Sequence, residues 1–440
     1  MWLVFQCSGR KVNKMGFGEF FIRVMTDPIQ YVVYLLLCEI IVFSILRKQL
    51  ISIIDPLAVS CFFLGIYSAT VLYMYANNLI EEISVYHFLL STTALIIGLC
   101  FWKRARRIKS TDIHYSVVEK YLYQVSAISF VLIKIYLLGT LGSPLLSGES
   151  RIGFYQTAGT IMTVSGAIQS LLYFLILEKC LRYKQITVFD KLLILFLFVD
   201  LFLSGSKSAF STLLFSLNVY IFYFSSQKLI DSKYIVMLIP IFMFIIMIQS
   251  NNDVEIFFAN IMYSIMDRAD VYVNFYGAGY SNILNYFKDD EGIDNLFLNM
   301  FQLLLNRFGI IPYDDVLLRY TWADKMSIYI DGVTFQGGVN NVYNLFSLTY
   351  IGFWGSIIYS FFIGLFVSSI RNRLYLVFNL KYVMVRFFIY DMIVHGGHLI
   401  SMIHGFVATI ITDFIIVCLL YMLIHYMVHN GKYTVQKGDA

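Results

Sequence analysis

An all-α polytopic membrane protein is the fold class this sequence predicts, and three observations carry it. Of 440 residues, 59% are hydrophobic and only 14% charged, against about a quarter charged in soluble domains; so few charges cannot cover a water-facing surface. The apolar residues come in blocks of roughly 18 to 25, the length at which a helix crosses about 30 Å of hydrocarbon. About eleven such blocks can be counted. They leave short connections and one long segment outside them, and no separate soluble catalytic domain.

In chain order, helices are expected over 29–46, 56–76, 83–102, 121–139, 160–177, 190–204, 209–224, 234–250, 343–369, 380–400 and 405–427. The first follows Asp27-Pro28 and has no small-residue cleavage site after it, so it reads as a retained span. Basic clusters set the orientation: Arg47-Lys48; Lys103, Arg104, Arg106, Arg107 and Lys109; Lys179, Arg182 and Lys184; Lys228 and Lys233; Arg371, Arg373 and Lys381. All fall on one side of the layout, which the positive-inside bias makes cytoplasmic, while the acidic turn 77–82 falls on the other. The C-terminus is then inside and the N-terminus outside. Arg10, Lys11, Lys14 and Arg23 run against this, and Met15 is an alternative initiator.

The outward face holds a loop near 139–159, the turn 204–208 and the long segment 251–342, all within a single integral domain, 1–440. The long segment carries an apolar-periodic stretch over 294–311, with Leu296, Met300, Leu303, Leu304 and Arg307 on one side. This is expected to be a helix at the membrane interface or packed on the bundle.

Other classes are excluded by placement. The balance of 32 Lys and Arg against 28 Asp and Glu, net +4, is dispersed and offers no basic face for nucleic acid. The six cysteines stand one at a time, with neither a disulfide framework nor a CxxC pair. No metal-ligand set and no nucleotide-binding loop is visible, so no cofactor is expected.

Ionisable groups inside apolar spans are costly and therefore candidates for function: Glu39, Lys134, Asp200, Asp391 and Asp413, with His395 beside Asp391. Glu39 and Lys134 read as partners of one another or of nearby hydroxyls. Asp200 stands below the turn carrying Lys207, where an acid can orient or neutralise that cation. Asp391, His395 and His398 share a helix face at i, i+4 and i+7, and His404 follows Gly396-Gly397; for these histidines helix packing outweighs metal binding. The external cations are Arg151, Lys207, Arg268, Lys288, Arg307, Arg319 and Lys325; if the substrate is anionic and lipid-linked, these are the groups that can meet its phosphates. Lys288 and Lys325 stand beside Asp289 and Asp324 and read as solvated. Arg151 and Lys207 follow the runs GSPLLSGESR and SGSK, whose bare N–H groups can also hold phosphate oxygens, although glycine-rich turns occur without any ligand.

Three places resemble the Wzy-type O-antigen and capsular repeat-unit polymerases. Leu203-Ser204-Gly205-Ser206-Lys207-Ser208-Ala209 is similar to that family's S-G-S-R-[ST]-A turn, with Lys for the usual Arg. Phe275-Tyr276-Gly277-Ala278-Gly279-Tyr280-Ser281 through Asn285-Tyr286 is similar to the opening of its long external loop. Asn341-Val342-Tyr343-Asn344, Tyr350-Ile351-Gly352-Phe353-Trp354-Gly355-Ser356 and Gly364 are similar to its N-x-Y-x(n)-D-F-G-x-x-G-S run, without the Asp before Phe-Gly. Arg268 to Gly279 also fits the Arg-x10-Gly pattern of some members.

The resemblance implies a GT-C-like glycosyltransferase of the bacterial inner membrane. It would join undecaprenyl-diphosphate-linked oligosaccharide repeats at the periplasmic face, beside a chain-length-regulating membrane co-polymerase. Departure of a lipid pyrophosphate calls for fixed cations, for which Arg151, Lys207, Arg268 and Arg319 are placed. The attacking sugar hydroxyl wants a base, with Asp267, Asp270, His398 and His404 as unranked candidates. Tyr276 and neighbouring aromatics can stack on sugar faces. The alternatives are a flippase for the same lipid-linked glycan, against which the absence of matching halves speaks, and an O-antigen ligase, against which the absence of His in 251–342 speaks.

Overall fold

The computed structural model describes residues 16–104, 116–143, 151–204, 207–225, 227–229, 263, 266–307, 310, 322–331, 342–374, 376, 380–396, 400 and 403–438. Every regular element among them is helical. Local sequence sets the helix starts. α2 (Pro28–Leu46) and α3 (Pro56–Ala76) begin on proline, whose fixed φ suits the first turn. Asp55 caps α3 by accepting from the Leu57 N–H at 2.9 Å. α5 (Val117–Leu141) and α7 (Val188–Leu203) open on capping boxes, Ser116 with Glu119 and Thr187 with Asp190. Ahead of them lies α1 (Phe17–Thr26), which buries Phe20 against Tyr31 at the start of α2 and Tyr73 at the end of α3.

Seven helices of the described residues are long and apolar enough to cross a membrane. They are α2, α3, α4 (Glu82–Cys100), α5, α6 (Arg151–Leu177) from Gly159 onwards, α13 (Tyr343–Ser369) with its π-helical tail Ile370–Leu374, and α15 (Ile403–Gly438) over Gly405–Val428. Leu36, Ile40, Leu132, Ile135, Phe362 and Leu419 of these helices face outwards, as helices solvated by hydrocarbon require. α7 is shorter, at 16 residues, and α8 (Lys207–Phe224) is apolar from Thr212 onwards. The expected span 234–250 lies outside the described residues.

Helix ends sort as the basic clusters predict. The ends of α2, α4, α6, α8 and α13 are tied together at one end of the bundle: Gln49 Nε2 donates to Trp102 O at 3.1 Å, Arg104 to Leu50 O, Tyr223 O–H to Arg371 O at 2.8 Å, and Gln227 to Leu181 O. Arg371 pairs with Asp55 at 2.6 Å. This is the basic end; the turn 77–82, with Gly279 beside Glu81, lies at the other, the loop end. Long-range packing is closest where α4 crosses α13: a Cβ at Gly98 would strike the backbone of Phe361, and one at Gly364 that of Leu95. Small residues let the two backbones touch.

Two expected spans are corrected. The stretch 343–369 is not one crossing, because at Gly352 (φ +68°) the helix turns back on itself. Ser356, after the turn, bonds His87 on the second turn of α4, yet Tyr343, thirteen residues earlier, reaches Thr92 deeper in α4 at 3.2 Å. The arm 343–351 therefore climbs from inside the bundle to the loop end, and the remainder descends; only glycine adopts that φ without strain. Among the described residues, the stretch 380–400 holds α14 (Val383–His395), 13 residues or about 20 Å, which rises from the basic end into the bundle.

The charged residues within spans pair only partly as expected. Lys134 pairs with Asp200 at 3.0 Å; the side chain of Lys207 lies outside the description. Glu39 is not the partner of Lys134; its carboxyl is set against Gly65, with no hydrogen-bond partner among the described residues. His395 pairs with Asp391 at 3.1 Å, and no group of three or more potential metal ligands occurs among the described residues.

Candidate functional site: a polar junction between two half-helices

The segment predicted as external loop does not stay outside. From a 3₁₀ turn, Asp267–Ala269, it enters α9 (Asp270–Gly277), α10 (Tyr280–Tyr286) and, after Gly292, α11 (Ile293–Arg307). The α9 side chains Val271 to Tyr276 are buried. At its start Arg268 lies over the ring of Phe63, 5.9 Å from the centroid. Phe63 is seven residues into the 21-residue α3, about 10 Å from the basic end. At its end Tyr276 reaches His87, and Gly279 (φ +95°) comes to Glu81 at the loop end. α9 thus ascends from the middle of the bundle, as the arm 343–351 does. A buried Trp322, opening α12 (Trp322–Asp331), packs against Phe275, Phe287 and Phe346 at 6.3, 6.3 and 6.4 Å.

The two half-helices meet at their N-terminal ends. Tyr272 donates to Asn344 Oδ1 at 2.6 Å, and its ring lies 5.0 Å from that of Tyr67 and 5.2 Å from Phe88. The Tyr343 N–H donates to Ile400 O at 3.3 Å, so the connection between α14 and α15 also comes to this point. Three interrupted elements therefore end in one place. Backbone ends at that depth are tolerated only where neighbouring protein or enclosed water satisfies them. Higher up, Tyr276 O–H and His87 Nδ1 share a hydrogen bond of 2.8 Å, and His87 Nε2 pairs with the Ser356 hydroxyl. Both hydroxyls can donate or accept, so a neutral imidazole satisfies both contacts in either tautomer.

Two of the predicted site residues have described side chains here, two positions apart in the chain. Arg268 and Asp270 stand at the foot of α9, with Arg268 exposed and Asp270 half-buried. Asp267 occupies the same 3₁₀ turn, its side chain outside the description. His404 begins α15 and His398 belongs to the connection ending at Ile400; the side chain of the first and the whole of the second lie outside the described residues. Tyr276 is corrected: fully buried and bonded to His87, it presents no open face for a sugar. Arg151 and Lys207 start α6 and α8 with side chains outside the description, and Arg319 falls outside altogether.

The junction also contains residues that sequence reasoning missed. Tyr67 lies in the middle of α3, and the ionisable groups acting on its hydroxyl are Arg268, Asp270 and Tyr343. His87 is an imidazole inside the apolar span 83–102, a signal open to sequence reading. Tyr67 carries no such signal, because tyrosine is common throughout this chain, with 33 copies. α11 packs on α15 and α13 and buries Leu296 and Leu304 as its periodicity predicts, together with Asn299 and Gln302, which bond one another at 3.2 Å. Comparison with known proteins finds no matching family model, no matching curated protein and no matching solved structure.

Proposed function

We propose that the chain is a repeat-unit polymerase of the bacterial inner membrane, joining undecaprenyl-diphosphate-linked oligosaccharides by glycosyl transfer at the periplasmic face. The observation that carries this reading is the meeting of two resembling stretches. The one around Phe275–Tyr280 and the one around Tyr343–Ser356 lie far apart in sequence, yet meet in one buried polar network through Tyr272–Asn344 and Tyr276–His87–Ser356. A base candidate, Asp270, and a cation, Arg268, stand at its foot. Loss of a lipid pyrophosphate needs such a cation in a water-poor setting, and a donor already activated as a lipid diphosphate needs no nucleotide site.

Under this reading the basic end is cytoplasmic. Reporter fusions after residue 300 should then register outside the membrane, and a cytoplasmic signal there would sink the assignment. Deletion of the gene should reduce surface glycan to single repeats while leaving export and attachment intact; unaltered long ladders in the deletion strain would exclude polymerase activity. One observation favours a second reading, a transporter of the same lipid-linked glycan: half-helices that begin at mid-height are the form in which many transporters hold substrate. Deletion would then abolish surface glycan altogether, single repeats included.

A further inference from the structure

Two polar groups at the foot of the junction have hydrogens with nowhere to go. Asn344 is wholly buried, and its Oδ1 accepts from both the Tyr272 O–H and the Leu345 N–H at 3.0 Å. A backbone N–H can only donate, so the amide orientation is fixed and Nδ2 is the free end. That Nδ2 has no partner among the described residues. Tyr67, 1% exposed, likewise has an unpartnered hydroxyl among them. The two residues flank Tyr272, whose ring packs on Tyr67 and whose hydroxyl bonds Asn344. Burying a donor unpaired is costly, and native proteins leave few such groups without a reason.

The surroundings hold more donors than acceptors. Both groups stand where α9 and the arm 343–351 begin, towards the positive ends of the two helix dipoles. Arg268 lies over Phe63, whose ring stacks on that of Tyr67 at 6.4 Å, and Asp270 is the acid in that neighbourhood. An amide NH₂, a phenol O–H and a guanidinium, against the one carboxylate of Asp270, offer donors in excess of acceptors. Their natural complement is an oxygen anion.

We infer that Tyr67 and Asn344 are ligand-binding residues that hold the phosphate oxygens of an anionic ligand in the interior of the bundle, beside Arg268. The inference rests on the proposed function only for the source of that phosphate, a lipid-linked diphosphate; the donor geometry is independent of it. It also places the anion deeper than the outward turns carrying Arg151 and Lys207. Tyr67 acts as a donor through its hydroxyl alone, and Asn344 through Nδ2 while its oxygen anchors α9 to the arm.

The test uses the full-length protein purified in detergent, titrated separately with inorganic pyrophosphate and with geranyl diphosphate, and followed by the thermal unfolding midpoint and by calorimetry. Saturable binding of at least one is expected. Preference for geranyl diphosphate marks a lipid headgroup as the source, whereas equal binding marks the free anion. Tyr67→Phe removes only the O–H and should weaken binding about five- to tenfold. Asn344→Asp keeps the acceptor but sets a carboxylate where Nδ2 stood, and should weaken it more than tenfold. Should Asn344→Asp fail to elute as a single species, the Tyr67→Phe titration decides alone. Absence of saturable binding to the parent protein, or parent-like binding by Tyr67→Phe, overturns the inference. Neither outcome touches the glycan ladder, which tests the proposed function separately.

Discussion

Arg386→Ala is expected to cost about 3–5 kcal/mol of stability, the largest loss of any single substitution away from the junction. Arg386 is wholly buried at the start of α14. It donates to Glu119 Oε1 at 2.9 Å, to Glu178 Oε2 and Oε1 at 2.8 and 3.2 Å, and to the carbonyls of Leu380 and Lys381 at 3.0 and 2.9 Å. Removing it leaves two buried carboxylates on adjacent helices. Their remaining donors are the Ser116 N–H, Tyr183, Tyr220 and Arg182, which supply one cation between two acids. Arg386→Lys should be nearly as damaging, since a point charge on a flexible stem cannot reach five acceptors in three directions. The triple change Arg386→Met, Glu119→Gln, Glu178→Gln should recover most of the loss, because the cost lies in the uncompensated charge. Unfolding midpoints of the purified variants measure this, and an Arg386→Ala protein as stable as its parent would refute it.

Arg268→Ala should do the opposite: fold normally and lose function. Arg268 makes no ion pair among the described residues, and its one described contact is the face of Phe63. A cation at that depth, held by so little, is expensive to keep, so its removal should leave stability unchanged or slightly raised. If the proposed function is right, polymerisation should fall about 10- to 100-fold, the worth of charge-assisted bonds to a departing phosphate. Cells carrying the variant at normal membrane abundance should then show mainly single-repeat glycan. Arg268→Lys should keep part of the activity, as it keeps the charge but not the planar fork. A full ladder from Arg268→Ala would remove Arg268 from the reaction.

These two arginines show what could be read before the fold was known. The basic cluster Arg371, Arg373 and Lys381 marks its end of the bundle from sequence alone, but Arg386 lies in an apolar run, and nothing local names Glu119 and Glu178 as its partners. Lys134 and Asp200 were legible as costly residues within spans. Their pairing was not, because it depends on how α5 and α7 are rotated about their axes, and hydropathy does not record rotation. Tyr276 looked like a sugar platform because loop aromatics usually face water; here the loop re-enters, and the side chain is sealed against His87.

By itself, the sequence determined the solvent of this protein, the length of most of its helices and the end of the bundle to which its basic residues belong. Each of these follows from a sum of transfer free energies along one segment, and such a sum needs no neighbours. Only the tertiary structure decided that the run 343–369 reverses at Gly352 and that α9 climbs from within. A backbone end inside the bundle is affordable only when other segments bring partners to it, as Ile400 does for Tyr343 and Asn344 for Tyr272. Those partners lie 57 and 72 residues away in the chain, beyond the reach of any periodicity.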